Sequence, residues 1–148
     1  SLCAGRDAAP DDSAGTAKGV ATEARVLVAA TAGVGNAVDI TSTPHGDPRL
    51  VAGTINTVVF IDAHLTDGAL INACQSATEA KVRALAQHQV YDTVSGTLAT
   101  GTSTDCLAIG ATQRGEPTPY AGSGTRLGRA IGSAVFLAIT ASLQSGGA

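Results

Sequence analysis

Aromatic side chains are scarce in this chain, which holds two Phe, two Tyr and no Trp among its 148 residues. A core without large rings must be built from Ala, Val, Ile and Leu at close spacing, and the 18 glycines allow tight backbone approach. The length excludes two ordinary domains but is sufficient to bury a core. We therefore expect residues 1–148 to form a single layered domain.

Positive charge is scarce as well, with nine Lys and Arg against 12 Asp and Glu and a formal net charge of −3. A general nucleic-acid binder carries clustered Lys and Arg, and RNA-binding modules add stacking aromatics. The sequence has neither feature. It therefore predicts that nucleic acid is not a partner.

Cysteine is limited to Cys3, Cys74 and Cys106, an odd count with wide spacing and no Cys-x-x-Cys. This pattern excludes a disulfide framework and a structural zinc site. Cys74 and Cys106 lie among apolar residues, so we expect small core side chains that stay reduced, as is typical of a cytoplasmic protein. The three histidines, His45, His64 and His88, are interpreted as exposed polar residues, and no metal site is predicted.

Long apolar runs are missing too. The most apolar segment, Ala130–Leu143, is shorter than the ~20 residues of a membrane span, and Arg126 and Arg129 precede it. Charged residues interrupt the first twelve positions, which excludes a signal peptide there. We expect a buried helix and no membrane partner.

Known catalytic and phosphate-binding motifs are also absent. Gly33 and Gly35 follow a predicted strand, but Val38 stands where a dinucleotide fold needs a third glycine, and the loop Thr43–Pro48 interrupts the following segment. There is no Gly-x-x-x-x-Gly-Lys, no Gly-x-Ser-x-Gly and no His-Glu-x-x-His. The sequence therefore excludes a P-loop phosphate site and the hydrolase active sites that these motifs mark.

What the sequence does contain is a series of apolar segments separated by turns. A loosely ordered lead-in, with a short helix as one option, is expected over Ser1–Lys18. The predicted elements are a continuously buried strand at Arg25–Thr31, strands at Thr54–Asp62, Thr93–Thr100 (short) and Asp105–Thr112, and helices at Asp67–His88 and Thr125–Leu143. The order β-β-α-(β)-β-α predicts an α+β fold, with a sheet covered by two main helices.

The first helix carries an unusual charge pattern. Stepping ~100° per residue from Leu70 places an apolar stripe that includes Lys81, with Glu79 on the opposite face. A lysine on such a stripe must extend its amine to solvent, pair with a carboxylate or face a ligand cavity. Glu79 is also explained by an exposed ion pair with Arg83 one turn later. In the last helix, Gly124, Gly128 and Gly132 line one face and predict close packing.

Four polar runs lie where apolar elements end, namely Gly53–Asn56, Thr78–Lys81, Thr100–Asp105 and Tyr120–Gly122. This layout is typical of a ligand site on a rigid scaffold. Turn geometry or sheet-edge hydrogen bonds would also explain Asn36 and Asn56, and Thr100–Asp105 also fits a plain turn. Asp105 is a candidate for acid–base chemistry because its apolar neighbours Cys106–Ile109 would raise its pKa.

Taken in order, these runs resemble the adenosylcobinamide amidohydrolase family, CbiZ. The matching residues are Thr31–Gly33, Asn36–Ala37, Gly53–Asn56, Asp62, Leu65, Thr78–Lys81, Ala99–Asp105, Tyr120–Gly122, Leu127–Gly128 and Ile131–Gly132. The resemblance implies an enzyme of vitamin B12 salvage that hydrolyses the amide between aminopropanol and the corrin propionate, releasing adenosylcobyric acid. It implies a small-molecule corrinoid as substrate and no cofactor. Family members usually carry a further Gly-Gly-containing stretch before the first strand, which is short or absent here.

On this resemblance we expect one shared pocket. Asp105 or Glu79 would activate water, and Lys81, Asn36 and Asn56 would polarise or position the amide. Residues expected to contact substrate are Thr31, Asn36, Asn56, Thr100, Thr102, Ser103, Thr104 and Tyr120. A hydroxyl nucleophile in Thr100–Asp105 is the rival mechanism. A non-catalytic corrinoid-binding module and a homo-oligomer built on the Gly-lined helix stay open as alternatives.

Overall fold

The computed structural model describes residues 2–6, 25–42 and 52–145. The elements are β1 (Leu2–Arg6), β2 (Arg25–Ala32), β3 (Ala37–Val38), β4 (Ile55–Asp62), β5 (His64–Leu65), α1 (Asp67–Gln87), β6 (Gly101–Thr102), β7 (Cys106–Ala111), β8 (Pro117–Thr118) and α2 (Arg126–Ser145).

Four strands form the main sheet in the order β1-β2-β4-β7, in which β2 runs antiparallel to β1 and β4, and β4 runs parallel to β7. Two short ribbons, β3–β6 and β5–β8, form separate two-stranded sheets. The predicted α+β class is confirmed.

One face of the sheet is buried beneath the helices, and the other is open. Burial alternates along β2 and β4, so that Val28 and Val59 are fully buried whereas Leu27 and Phe60 are 39% and 52% exposed. The prediction that β2 is continuously buried is therefore wrong, because an antiparallel strand with helices on one side needs apolar residues on that side only. The buried side chains are Ala, Val, Ile and Leu, as the lack of aromatics predicted.

The two long helices agree with the prediction to within two residues at each end. Thr66 caps α1 by accepting a hydrogen bond from the Ala69 N–H at 3.2 Å. Thr125 plays the same part for α2, accepting from the Gly128 N–H at 3.0 Å. Among the described residues, α2 is the helix whose length and apolar composition would suffice to cross a bilayer, and 50% of that stretch is buried against the rest of the protein.

The glycine repeat of α2 packs closely at one position rather than three. A Cβ added at Gly128 would collide with the Gly122 carbonyl, whereas at Gly124 or Gly132 a Cβ would meet no atom of the described residues within 4 Å outside its immediate neighbours. The prediction of a closely packed glycine face is therefore correct only for Gly128.

Three further predictions are wrong. Residues Leu2–Arg6 form a strand where a loose lead-in was expected, while the rest of that lead-in lies outside the described residues. Thr93–Thr100 is not a strand but a turn region with a single bridge between Tyr91 and Leu98. Cys74 and Cys106 are exposed, not in the core. The loop Thr43–Pro48, with His45, also lies outside the described residues.

Candidate active site

Three strand ends meet at one end of the sheet. Because β2 is antiparallel to both β4 and β7, the last residues of β2 lie beside the first residues of the other two strands. Thr31 pairs in register with Asn56, which pairs with Cys106. Asn56 Nδ2 lies 3.4 Å from Thr31 Oγ1, and both side chains are exposed on the open face.

The loops at this end are joined by side-chain hydrogen bonds. Asn36 Nδ2 donates to Ser103 Oγ at 2.8 Å and lies 3.4 Å from Thr104 Oγ1. Thr104 Oγ1 donates to the Gly53 carbonyl at 2.9 Å, and Thr54 Oγ1 donates to the Thr104 carbonyl at 2.8 Å. The turn after β2, the lead into β4 and the loop before β7 therefore form one polar cluster. Asn36 Oδ1 is buried and has no hydrogen-bond partner among the described residues.

Lys81 of α1 reaches the same loop and forms an ion pair with Asp105 Oδ2. The other carboxylate oxygen of Asp105 accepts from the backbone N–H of Ile55 and from both the N–H and the hydroxyl of Thr102. A carboxylate offers about four lone-pair sites, so these donors occupy most of its acceptor capacity. The close approach requires glycine at position 101, where a Cβ would collide with Asp105 and Lys81.

The apolar residues that follow Asp105 in the sequence do not bury its carboxylate as predicted. Cys106 and Leu107 are exposed because β7 is an edge strand, and the carboxylate lies among hydrogen-bond donors instead. A cavity of about 200 Å³ adjoins the ion pair on the helix side of the sheet. Its walls are Ile55, Thr57, Ala77, Thr78, Lys81, Asp105, Cys106 and Leu107.

The hydroxyls of Thr100–Asp105 differ in their availability. Thr100 Oγ1 accepts the Ile40 N–H at 3.0 Å, and the buried Thr102 hydroxyl donates to Asp105. Ser103 and Thr104 are exposed. Ser103 and Thr104 are therefore the surface residues of this run, and of the two the Thr104 hydroxyl already donates to the Gly53 carbonyl.

Glu79 and Tyr120 lie away from this cluster. Glu79 is exposed and lines a different cleft, between α1 and α2, so the expectation of one shared pocket fails for this residue. It fails for Thr31 and Asn56 too, because they lie on the open face of the sheet and the cavity beside Asp105 lies on the helix side. Its predicted ion pair with Arg83 is not formed, since the ion pair among the described residues joins Lys81 and Asp105. Tyr120 is 67% exposed and lines neither cavity.

Two buried carboxylates went unnoticed in the sequence. Asp39 and Asp92 are 8% and 4% exposed and hold the segment after β3 against the turn before Ala99. A hydrogen bond from the Thr97 hydroxyl, followed by bonds from Thr41, lowers the pKa of Asp39 despite burial and the nearby Asp92 charge. Backbone N–H donors, first that of Asp39 and then that of Val94, lower the pKa of Asp92. Asp-x-Thr at 39–41 is an Asx-turn pattern that could have revealed this pair.

Among residues 2–6, 25–42 and 52–145, no group of three or more His, Cys, Asp or Glu side chains could hold a metal ion. The polar end of the sheet instead offers two amides, two accessible hydroxyls and an ammonium–carboxylate pair. Groups of these types bind and polarise amides and hydroxyls.

Comparison with known protein sequences identifies the family of this chain. The sequence model described as adenosylcobinamide amidohydrolase, CbiZ, matches residues 8–147. A protein of Halobacterium salinarum named adenosylcobinamide amidohydrolase is 35% identical over 148 residues, covering 95% of this chain and 61% of that protein. One of the same name from Methanosarcina mazei is 33% identical over 123 residues, covering 77% of this chain and 54% of the relative.

An uncharacterized protein of Methanocaldococcus jannaschii is 36% identical over 89 residues, covering 60% of this chain and 34% of its own length. The chain thus spans less than two thirds of the length of each of these relatives. No solved structure matches it.

Proposed function

Because this chain belongs to the CbiZ family of adenosylcobinamide amidohydrolases, we propose that it hydrolyses the amide that joins aminopropanol to the corrin propionate of adenosylcobinamide. The amide C–N bond breaks, oxygen from water bonds to the carbonyl carbon, and the proton that Asp105 takes from that water passes to the departing aminopropanol nitrogen. Adenosylcobyric acid is the other product. The observation that carries the proposal is that Asn36, Ser103 and Thr104 belong to the loops that also hold the Lys81–Asp105 pair, with Asn56 at the same end of the sheet on its open face.

Substrate positioning falls to the exposed polar groups of this cluster. Asn36 donates to Ser103 Oγ, so the hydroxyl hydrogen of Ser103 is free to donate to a ligand acceptor. The corrin periphery is rich in amides, whose carbonyls and N–H groups match such hydroxyls. Asn56 and Thr31 extend the same polar surface onto the open face of the sheet.

Amide hydrolysis needs an activated nucleophile, donors for the developing oxyanion and an acid for the leaving amine. We assign water activation to Asp105 and oxyanion stabilisation to Lys81, because both side chains border the 200 Å³ cavity. Substrate must then draw the Lys81 ammonium away from Asp105, which frees one carboxylate oxygen for water. Glu79 has no part in this scheme, since it lines another cleft. The rival is a hydroxyl nucleophile, Ser103 or Thr104.

Incubation with adenosylcobinamide tests the proposal. Wild-type protein should release aminopropanol, detected by mass spectrometry, and Asp105→Asn should lose most of that release. The matched control is Glu116→Gln, an exposed carboxylate directly before β8. Full turnover by Asp105→Asn would remove the water-activation scheme, and a covalent corrinoid adduct on Ser103 or Thr104 would favour the hydroxyl nucleophile.

A second function is favoured by the saturated hydrogen bonding of Asp105. If Lys81 and three further donors keep the carboxylate occupied when the ligand is bound, the protein would be a corrinoid-binding module without hydrolysis. A shift in the visible spectrum of the corrinoid without aminopropanol release identifies this case. On either function, the corrinoid is the ligand and no further cofactor is required.

A further inference from the structure

The fold does not use the hydroxyl of Thr57. Every second residue of β4 faces the helices, and Thr57 is the polar member of a buried row that otherwise consists of Ile55, Val59 and Ile61. Thr57 is 5% exposed, and its hydroxyl forms no hydrogen bond within the described part of the chain. A buried hydroxyl without a partner destabilises the folded state, and valine would fill the same space without that cost. The hydroxyl is therefore free to meet a ligand.

Thr57 borders the cavity of about 200 Å³ beside the ion pair. The other hydroxyl in the lining belongs to Thr78, and it already donates to the Cys74 carbonyl within α1 at 2.9 Å. Apolar side chains form much of the remaining wall, namely Ile55, Ala77 and Leu107. The cavity thus offers one unused hydroxyl in an apolar wall, next to a carboxylate and an ammonium.

The size of the cavity limits what enters it. Pockets for drug-sized ligands measure about 300–1,000 Å³, and a corrin ring is larger than such ligands. Exposed Thr78 and Leu107 in the lining place the opening at the edge of the sheet formed by β7. A corrinoid therefore inserts one side arm here, while its ring stays outside.

Strand register sets the depth of Thr57 in the cavity. The Ile55 N–H donates to Asp105 Oδ1 at 3.3 Å, and Thr57 follows Ile55 by two residues on the same side of β4. Two residues of a strand span about 6.6 Å. A short arm that carries a hydroxyl covers such a distance, together with one hydrogen bond, when its amide lies at Asp105.

We propose that this cavity receives the aminopropanol arm of the corrinoid and that Thr57 recognises the hydroxyl of that arm. The inference rests on the proposed function. The scissile amide lies at the Lys81–Asp105 pair, the methyl group of the arm packs against the apolar wall, and the arm hydroxyl forms a hydrogen bond with Thr57 Oγ1. Thr57 is thus a specificity residue, which contacts the departing part of the substrate and leaves the reacting bond to Asp105.

Two substrates test the assignment, adenosylcobinamide and an analogue whose arm is propylamine and so lacks the hydroxyl. In wild-type protein, kcat/KM for the analogue should be about tenfold lower or less, the effect of losing one hydrogen bond in a buried site. Thr57→Val keeps the shape of the side chain and should abolish the preference. Thr57→Ser keeps the hydroxyl and should retain it.

Thr140→Val is the matched control. The Thr140 hydroxyl is also buried without a partner among the described residues, but Thr140 does not line the cavity. This variant should keep the wild-type preference. Persistence of the preference in Thr57→Val would overturn the proposal. Equal slowing of both substrates in Thr57→Val would do so too, because Thr57 would then act on the reaction and not on the arm.

Thermal melts separate recognition from a structural role. Thr57→Val should melt at the wild-type temperature or above, since no hydrogen bond within the described residues is lost. A clear fall in melting temperature would show that the hydroxyl supports the fold, which would contradict the proposal.

Failure of this inference is distinguishable from failure of the proposed function. If the protein binds both corrinoids without hydrolysis, dissociation constants from the visible spectrum replace kcat/KM in the same comparison. Loss of the preference in Thr57→Val then supports the arm site and refutes hydrolysis alone. Hydrolysis with an unchanged preference in Thr57→Val refutes the arm site alone. Neither release nor a spectral change with either corrinoid refutes both.

Discussion

Asn36 donates from Nδ2 to Ser103 Oγ at 2.8 Å and so joins the turn after β2 to the loop before β7. The two residues are separated by 67 positions in the sequence. Backbone pairing supports the link, since the Ser103 N–H donates to the Asn36 carbonyl at 3.3 Å. The orientation of an exposed hydroxyl in the candidate site is thus set by an amide from another strand end.

Replacing Asn36 by Ala should therefore lower activity more than stability. The lost hydrogen bonds should cost about 1–2 kcal/mol of unfolding free energy, and kcat/KM on adenosylcobinamide should fall about tenfold or more as Ser103 loses its orientation. Urea unfolding and steady-state kinetics measure the two effects. Asn72→Ala is the control, because the Asn72 amide donates to Gln75 within α1 itself and joins no separate elements among the described residues. Unchanged kcat/KM in Asn36→Ala would contradict a positioning role.

The Lys81–Asp105 pair should couple α1 to the loop before β7. The side chains are 18% and 20% exposed, so the attraction is only partly screened. In a double-mutant cycle of Lys81→Met and Asp105→Asn, we expect a coupling of about 1 kcal/mol or more in the free energy of unfolding. Urea denaturation of the four proteins gives the value. If the two substitutions changed the free energy of unfolding additively, the ion pair would not couple α1 to the loop before β7.

Asp39 and Asp92 should make the fold sensitive to acid. The pKa of each is lowered in the folded protein, so the unfolded chain binds more protons in the pH range between the two pKa values. Their contribution is fully present above the unfolded Asp pKa of about 3.9 and is lost as the pH falls below it. Thermal melts across this range should show a shallower decline for Asp92→Asn than for wild type. Glu116→Gln, which removes an exposed carboxylate directly before β8, should keep the wild-type slope.

Alanine should have opposite effects at two glycines of α2. Gly128→Ala places a Cβ against the Gly122 carbonyl and should destabilise the protein by about 1–3 kcal/mol, the usual cost of overpacking. Gly132→Ala places a Cβ that meets no atom of the described part of the chain within 4 Å, and should stabilise the helix by up to about 1 kcal/mol. Urea unfolding decides between the two signs. Equal effects would show that helix propensity, not the contact at Gly122, governs both sites.

Much of the fold could be predicted because its long elements carry strong patterns. The 3.6-residue period of α1 and the β-branched run of β4 depend on neighbouring residues alone, and both were located correctly. The segment Thr93–Thr100 has strand-like composition, but Asp92 accepts backbone N–H groups from Val94 and Ser95 and bends the chain, and Gly96 adopts a φ of 73°. A local side-chain bond thus prevailed over strand propensity.

The candidate site was less predictable, because it depends on which faces the tertiary structure covers. Cys106 has apolar neighbours, but no sequence period shows that β7 is an edge strand without full cover. For Lys81, the sequence left three alternatives open, and only the position of the loop before β7 selects pairing with Asp105. Helical spacing already placed Glu79 and Lys81 on opposite faces, and the structure puts them in separate cavities.

The contact between β2 and α2 has a consequence for biosynthesis. Ser142 Oγ accepts the Ala32 N–H at 2.9 Å, a hydrogen bond that spans 110 positions. After β2 has been synthesised, the ribosome must translate almost to the end of α2 before that helix can cover the apolar side of the strand. Until then the nascent polypeptide exposes Val26 and Val28, and a chaperone that shields such surface during elongation would improve the yield of native protein.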